Sequence, residues 1–341
     1  MTYTSDTKIY DLNDCELSDR NGMYGGMAGS KEGIIFNNEY WMVKYPKSTK
    51  LMNVDGMSYT TSPLSEYIGS QIYKILGYDV HETILGERNN KIVVACKDFC
   101  KSAGDLREIR TLKNIYNEQL ERLLEIELEE TGSSHVVDLK ELLIHLDNNP
   151  VLSTIPDMKT RFWDCVVIDG LIRNNDRNNG NWGLLYENGS YKIAPIFDNG
   201  ACLSPKLTES KIERILSDEN MLLNSSLNVL TAYGFNGHHL NLKRMIDMNI
   251  PDLNDAILRI TPKIAKNLDA IKQMINDIPK EYKGIVVCSD IRKELYVKGI
   301  EIRYKNLIEP AHERLVNSKI KEQKGLAGAK DKALSKVKKR N

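Results

Sequence analysis

The sequence lacks the features of a secreted, membrane-spanning or zinc-binding protein. Its six cysteines are scattered, with no CxxC pair and no histidine near them at metal-ligand spacing, which argues against a zinc site and a disulfide framework. No run approaches the roughly 18 apolar residues of a membrane span. The N-terminus is polar and acidic, without the basic start and apolar stretch of a secretory signal. We therefore expect a cytoplasmic protein without stable membrane insertion.

The sequence also lacks an excess of charge of either sign. Its 47 Lys and Arg residues balance 47 Asp and Glu residues, which argues against a protein-wide field for nucleic acid. Residues 317–341 are the exception, because they hold nine Lys or Arg residues against Glu322 and Asp331. This basic segment is interpreted as a flexible solvated tail, with nucleic-acid contact, anionic membranes or a targeting signal as alternatives.

No internal repeat is visible, and the length favours two domains or lobes. The first hundred residues are rich in predicted strands (33–36, 40–45 and 91–96) and hold one predicted helix, 62–76, with Ser62 as its N-cap. Longer helices are then predicted over 111–131, 138–147, 157–173, 252–277 and 291–318. These patterns predict an α+β fold with a small β-rich N-lobe (1–100), a larger helical C-lobe (101–316) and the tail (317–341).

The strongest chemical signal lies between residues 174 and 198. Asp176 precedes Asn181 by five positions, a predicted hairpin with an Asn-Gly turn follows, and Asp198 comes after it. Phosphoryl transfer needs a carboxylate that orients the acceptor, and oxygen ligands that hold Mg²⁺ against the phosphates. The pattern therefore predicts a kinase-type site. Residues 174–181 form the predicted catalytic loop. The alternative interpretation of this loop is a polar surface turn, since Asn, Asp and Gly dominate turns.

The upstream half contains residues suited to ATP. Lys44 lies within a predicted strand, and Glu66 lies in the predicted helix 62–76, where it can form an ion pair with Lys44. Before them, residues 21–33 are dense in glycine, so that backbone amides can approach phosphates closely. Each feature is weak by itself, but their order along the chain is that of a kinase.

These residues resemble the HipA-fold serine/threonine kinases. The matching stretches are GGMAGSK (25–31), YWMVK (40–44), SEY (65–67), KIVVACKDF (91–99), DRNNGNWG (176–183) and IAPIFD (193–198). The resemblance implies a catalytic base at Asp176, magnesium ligands at Asn181 and Asp198, and Lys44 on the ATP phosphates with Glu66 beside it. It also implies a nucleotide-binding loop and an adenine-binding hinge, composed of Gly25, Gly26, Gly29, Ser30, Ala95, Cys96 and Asp98.

The expected activity is transfer of the γ-phosphate of Mg·ATP to Ser or Thr (or Tyr) of a protein substrate. The family also implies autophosphorylation, with Ser30 as the nearby candidate. Two residues depart from the protein-kinase pattern: Asn178 stands where many protein kinases have Lys, and Asn199 makes the metal triplet Asp-Asn-Gly instead of Asp-Phe-Gly. The alternatives are a lipid or small-molecule kinase, because phosphoinositide kinases share the D-R-x-x-x-N loop, and a pseudokinase that binds ATP without catalysis.

Overall fold

A computed structural model describes residues 7–24, 30–52, 56–102, 104–130 and 136–321. The strands are β1 (Ile9–Asp11), β2 (Lys31–Phe36), β3 (Glu39–Lys44), β4 (Thr83–Arg88), β5 (Lys91–Lys97), β6 (Leu106–Glu108), β7 (Val137–Asp138), β8 (Gly183–Glu187), β9 (Ser190–Ile193), β10 (Leu230–Phe235), β11 (His238–Asn241), β12 (Glu281–Tyr282) and β13 (Ile285–Val286). The helices are α1 (Ser62–Ile75), α2 (Ile109–Leu124), α3 (Leu139–Asn148), α4 (Met158–Ile172), α5 (Glu209–Leu216), α6 (Glu219–Leu227), α7 (Leu242–Asp247), α8 (Pro251–Asn276) and α9 (Asp290–Arg303).

The N-terminal part is built on a five-stranded sheet with the order β1-β4-β5-β3-β2. Strand β1 pairs in parallel with β4, and the other neighbours are antiparallel. The two hairpins turn at Asn37-Asn38 and Asn89-Asn90, where all four residues have positive φ angles. Asparagine tolerates this left-handed conformation better than most residues. The strands predicted at 33–36, 40–45 and 91–96 are confirmed, while β1 and β4 were missed.

Helix α1 lies between this sheet and the helical part of the chain. It begins at Ser62 after the N-cap residue Thr61, so the prediction of Ser62 as the cap was wrong by one position. Most of the helix is buried, including the polar residues Ser65 and Glu66. Its apolar residues belong to the same hydrophobic cluster as α4 and α8. The helix therefore brings polar side chains into the space between the sheet and the helices.

Helix α4 is the central element of the C-terminal part, and twelve of its fifteen residues are buried. It ends at Ile172, and Arg173 then adopts a left-handed conformation that turns the chain into the predicted catalytic loop. The hairpin β8–β9 follows, with Asn188 and Gly189 at positive φ in its turn. This hairpin, predicted from its Asn-Gly turn, delivers the chain to Asp198.

The five long helices predicted after residue 98 are present with shifted ends. The acidic one stops at Leu124 rather than 131, where Glu125 takes a left-handed conformation. The last is interrupted by a π-helical turn, Tyr304–Ile308, before it continues over 309–321. Helices α5, α6 and α7 were missed. Among the described residues, no helix is both long and apolar enough to span a membrane. The residues of the basic tail beyond 321 lie outside the described part of the chain.

Candidate active site

Three charged side chains meet where the sheet faces the helical part. Lys44 at the end of β3 places its Nζ 2.8 Å from Oε2 of Glu66 on α1 and 2.9 Å from Oδ1 of Asp198 after β9. The side chain of Glu66 is 1% exposed, whereas that of Asp198 is 38% exposed. The cluster is therefore buried on the helix side and open on the side of Asp198. We call these three residues the open centre.

The three charges of the open centre stabilise one another. The ammonium of Lys44 lowers the pKa of Asp198. Burial opposes ionisation of Glu66, but Lys44 and a hydrogen bond from His81 outweigh it and lower the pKa of that carboxyl. Burial likewise opposes the charge on Lys44, and the two carboxylates outweigh it and raise its pKa well above the ordinary value. All three groups are ionised near neutral pH, so the open centre holds two carboxylates and one ammonium.

The predicted catalytic loop is fixed by its own side chains. Asp176 accepts a 2.9 Å hydrogen bond at Oδ1 from Nδ2 of Asn178. Asn181 donates from Nδ2 to the carbonyl oxygen of Asp176, which directs the other amide atom, Oδ1, away from that carbonyl. Asn178, the departure from the protein-kinase pattern, thus orients the Asp176 carboxylate with a neutral donor.

A second ion pair lies beneath this loop. Arg177 Nε donates to Asp169 Oδ2 at 2.9 Å, and Asp169 Oδ1 also accepts from Tyr73 and Asn174. All four residues are buried. We call them the sealed centre. Sequence reasoning missed Asp169, because no local pattern in the apolar helix α4 marks this residue as functional.

The residues predicted to contact the nucleotide have different surroundings. Gly25, Gly26 and Gly29 lie outside the described residues. The carbonyl oxygen of Ser30 accepts a hydrogen bond from the backbone N–H of Tyr45 at 3.0 Å. Ser30 therefore lies beside the end of β3.

The predicted hinge residues at the end of β5 also differ from one another. Cys96 belongs to the cluster on the α1 side of the sheet, whereas Ala95 packs in the small cluster on the opposite face. The carboxylate of Asp98 is occupied, since it accepts from Tyr24 at 2.9 Å, from Arg20 at 3.1 Å and from the backbone of Cys100 at 2.8 Å. This carboxylate therefore fastens the segment before the glycine-rich residues to the end of β5.

Two of the predicted residues offer oxygen atoms of the kind that a magnesium ion binds. Asp198 offers a partly exposed carboxylate, and Asn181 offers an amide oxygen at the end of the catalytic loop. Both are hard oxygen ligands of the kind that Mg²⁺ prefers while it keeps water and phosphate oxygens. Only Oδ1 of Asp198 is engaged by Lys44, so the carboxylate retains capacity for a cation.

Comparison with known proteins reveals a full-length relative. The serine/threonine-protein kinase CtkA of Helicobacter pylori strain J99 is 33% identical over 337 residues, which covers 95% of this chain and 94% of CtkA. The chain belongs to the CtkA family of serine/threonine kinases. The crystal structure of the H. pylori proinflammatory kinase CtkA matches with a TM-score of 0.77 and 32% identity over 91% of this chain and 98% of that chain.

Two further comparisons add little to this assignment. A chain in the Shewanella oneidensis MR-1 complex of the toxin–antitoxin system HipA, HipB and operator DNA is 13% identical, with a TM-score of 0.49 over 85% of this chain and 67% of that chain. No protein-family model matches the chain. The CtkA match confirms the predicted family and the kinase-like α+β fold. The lobe limits at residues 100 and 316 stay predictions.

Proposed function

We propose that the chain transfers the γ-phosphate of ATP to serine or threonine hydroxyls of proteins, its own included, with Mg²⁺ as cofactor. The observation that carries this proposal is the open centre. Lys44 is held between a buried carboxylate and a partly exposed one, at 2.8 and 2.9 Å. A fixed ammonium beside an accessible carboxylate suits a metal-bound triphosphate, because it contacts phosphate oxygens while the carboxylate holds the metal.

In the proposed reaction, the Asp176 carboxylate accepts the proton of the acceptor hydroxyl. The hydroxyl oxygen forms a bond to the γ-phosphorus as the bond to the β–γ bridging oxygen breaks, and ADP leaves with that oxygen. Lys44 neutralises charge on the phosphates, and Glu66 holds Lys44 in place. A magnesium ion held by Asn181 and Asp198 would neutralise developing charge on the β- and γ-phosphates.

The hydrogen bond from Asn178 to Asp176 supports the role of Asp176 as the base. The neutral amide orients the carboxylate without adding the positive charge that a lysine would bring. Ser30 remains the candidate for autophosphorylation because it borders the glycine-rich residues. Gly25, Gly26 and Gly29, with the backbone of residues 95–98, are proposed to contact the nucleotide.

The test is transfer of radiolabelled γ-phosphate from ATP by the wild type and by Asp176→Ala. Acceptors are the protein itself, a generic protein substrate and phosphoinositide vesicles. We expect labelled protein with the wild type and a loss of roughly 10³-fold with Asp176→Ala. Asp269→Ala is the matched control, because Asp269 is 99% exposed on α8.

Three outcomes would contradict the proposal. Binding of Mg·ATP without transfer to any acceptor would make the chain a pseudokinase. Label in lipid but not in protein would make it a lipid kinase. Full activity of Asp176→Ala would remove Asp176 from the base role.

A further inference from the structure

Asn199, the residue after Asp198, lies where helix α1, the catalytic loop and the Asp198 segment meet. Its side chain is completely buried. Its backbone N–H donates to Glu66 Oε1 at 2.8 Å, and its Nδ2 donates to Ser70 Oγ at 3.0 Å. Its Oδ1 accepts a hydrogen bond from Nη2 of Arg177. Every polar group of the side chain is therefore engaged by another element.

The backbone conformation of Asp198 explains why contacts such as those of Asn199 are needed. Asp198 has a φ of 58°, a left-handed conformation that is uncommon outside glycine and persists where the surroundings enforce it. The neighbouring peptide groups are held on both sides. The carbonyl of Phe197 accepts from Nη1 of Arg177, and the N–H of Asn199 donates to Glu66.

The packing of Gly69 gives independent support. A Cβ atom at Gly69 would lie 2.8 Å from Cβ of Asn199 and 3.1 Å from Sγ of Cys202. Glycine within a helix is unfavourable relative to alanine, so its presence in α1 fits a close approach of the helix to Asn199. Helix α1 thus contacts Asn199 at two positions. Ser70 accepts its hydrogen bond, and Gly69 leaves room for its side chain.

The same position is apolar in the Asp-Phe-Gly pattern of many kinases. An apolar side chain can move from one apolar pocket to another, because the hydrophobic effect is not directional. Asn199 cannot leave its place without breaking its buried hydrogen bonds to Arg177 and Ser70, which is unfavourable. The polar residue therefore favours a single orientation of the Asp198 segment.

We infer that Asn199 is a positioning residue that locks Asp198 in the orientation for metal binding by joining helix α1 to the catalytic loop. The inference rests on the proposed function, because it concerns the metal that accompanies the nucleotide. Asn199 acts through Asp198, Glu66 and Arg177, so it needs no contact with ATP.

The test measures binding of the ATP analogue with an imido β–γ link by calorimetry, with and without Mg²⁺. For Asn199→Ala, we expect the tightening of binding by Mg²⁺ to fall at least tenfold, with the metal-free Kd within threefold of wild type. Ser70→Ala removes the acceptor for Nδ2, together with the hydrogen bond between Ser70 and His81, and should lower the tightening by about threefold. It serves as the milder variant if Asn199→Ala does not fold.

Asn149→Ala is the matched control. Asn149 is equally buried, and its side chain hydrogen-bonds to the backbone of Leu112, Val151 and Leu152, within the helical part. This variant should lower the unfolding temperature and leave the effect of Mg²⁺ unchanged. The inference is overturned if Mg²⁺ tightens binding by Asn199→Ala within twofold of wild type, if Asn149→Ala loses the effect equally, or if Mg²⁺ does not tighten binding by the wild type. Absence of phosphate transfer alone would overturn the proposed function and leave this binding result interpretable.

Discussion

The open centre and the sealed centre use the same chemistry in different surroundings. Each pairs an aspartate with a basic side chain at 2.9 Å: Asp198 with Lys44, and Asp169 with Arg177. The Asp198 side chain is 38% exposed and that of Asp169 is 6% exposed. The open pair keeps an accessible carboxylate, while the sealed pair has every polar group directed at protein atoms.

This difference distinguishes the open centre, which can bind a ligand, from the sealed centre, which supports the structure around it. A fully buried ion pair contributes little net stability but is costly to break, because removing one partner leaves a buried charge. A partly exposed pair can exchange its partner for a ligand. The two centres are joined by Asn199, which contacts Arg177 of one and Glu66 of the other. We therefore expect changes in the open centre to affect activity first, and changes in the sealed centre to affect folding first.

The largest expected effect is on activity, from Asp198→Asn. The amide still accepts from Lys44 but loses the charge that holds a metal, so phosphate transfer should fall by roughly 10⁴-fold, or about 5 kcal/mol of transition-state stabilisation. The unfolding temperature should stay close to that of the wild type. The measurement is single-turnover transfer beside thermal unfolding. A variant that loses stability and activity together would break the distinction between the centres.

The next effect is on stability, from Asp169→Ala. It leaves the guanidinium of Arg177 buried without its carboxylate, which should lower the free energy of unfolding by about 3–5 kcal/mol in urea titrations. Asp247→Ala is the control, because Asp247 forms an exposed ion pair with Lys243, and such pairs contribute about 0–1 kcal/mol. Equal losses for the two variants would show that the sealed centre has no special role.

Gly69→Ala tests the contact between the centres. The added methyl group meets Asn199 at 2.8 Å, so α1 must shift. We expect a loss of about 1–3 kcal/mol in unfolding free energy together with a roughly tenfold loss of activity. Gly299→Ala in α9 is the control, because the added methyl group meets the buried guanidinium of Arg303 at 3.1 Å and not Asn199. That variant should also lower the unfolding free energy, but it should keep the activity of the wild type.

The smallest effect concerns acid sensitivity. Burial, with Lys113 nearby, lowers the pKa of His145 to about 4, against about 6.5 when unfolded. The unfolded state therefore binds the proton first, and stability should fall as the pH drops from about 6.5 to about 4. Between pH 6 and pH 5 the loss should be about 1 kcal/mol.

His145→Gln should remove this part of the pH dependence in urea titrations. The carboxyls of Glu66 and Asp198 have lowered pKa values. Their contribution to the free energy of unfolding should therefore be lost only below about pH 4.5, as they protonate. Unchanged pH dependence between pH 6 and pH 5 in His145→Gln would contradict the assignment.

The sequence predicted those parts of the molecule that have local patterns. The two Asn-Asn turns, the Asn-Gly hairpin and the helical spacing of α1 and α4 each mark their own element. Helices α5, α6 and α7 are short, with 8, 9 and 6 residues, so periodicity had too few turns to reveal them. Strand β1 has three residues and depends on its pairing with β4, which no local signal contains.

The same distinction between local patterns and tertiary contacts applies to the candidate active site. The roles of Lys44, Glu66, Asp176, Asn181 and Asp198 are predictions that rest on their order along the chain, which is the order of kinase residues. Their supports could not be predicted in this way, because Asp169 and Ser70 act through contacts that only the fold creates. Asn199 was noted as a departure from a pattern, and its role depends on Arg177, Ser70 and Glu66 meeting it in space.

The most direct test of the account is the amount of Mn²⁺, as a probe for Mg²⁺, bound in the presence of a non-hydrolysable ATP analogue. Electron paramagnetic resonance of free Mn²⁺ would measure it for the wild type, Asp198→Asn and Asp269→Ala. We predict at least one bound ion per chain for the wild type and Asp269→Ala, and its loss in Asp198→Asn with the fold intact. Equal Mn²⁺ binding by Asp198→Asn and the wild type would contradict the claim that Asp198 holds the catalytic metal.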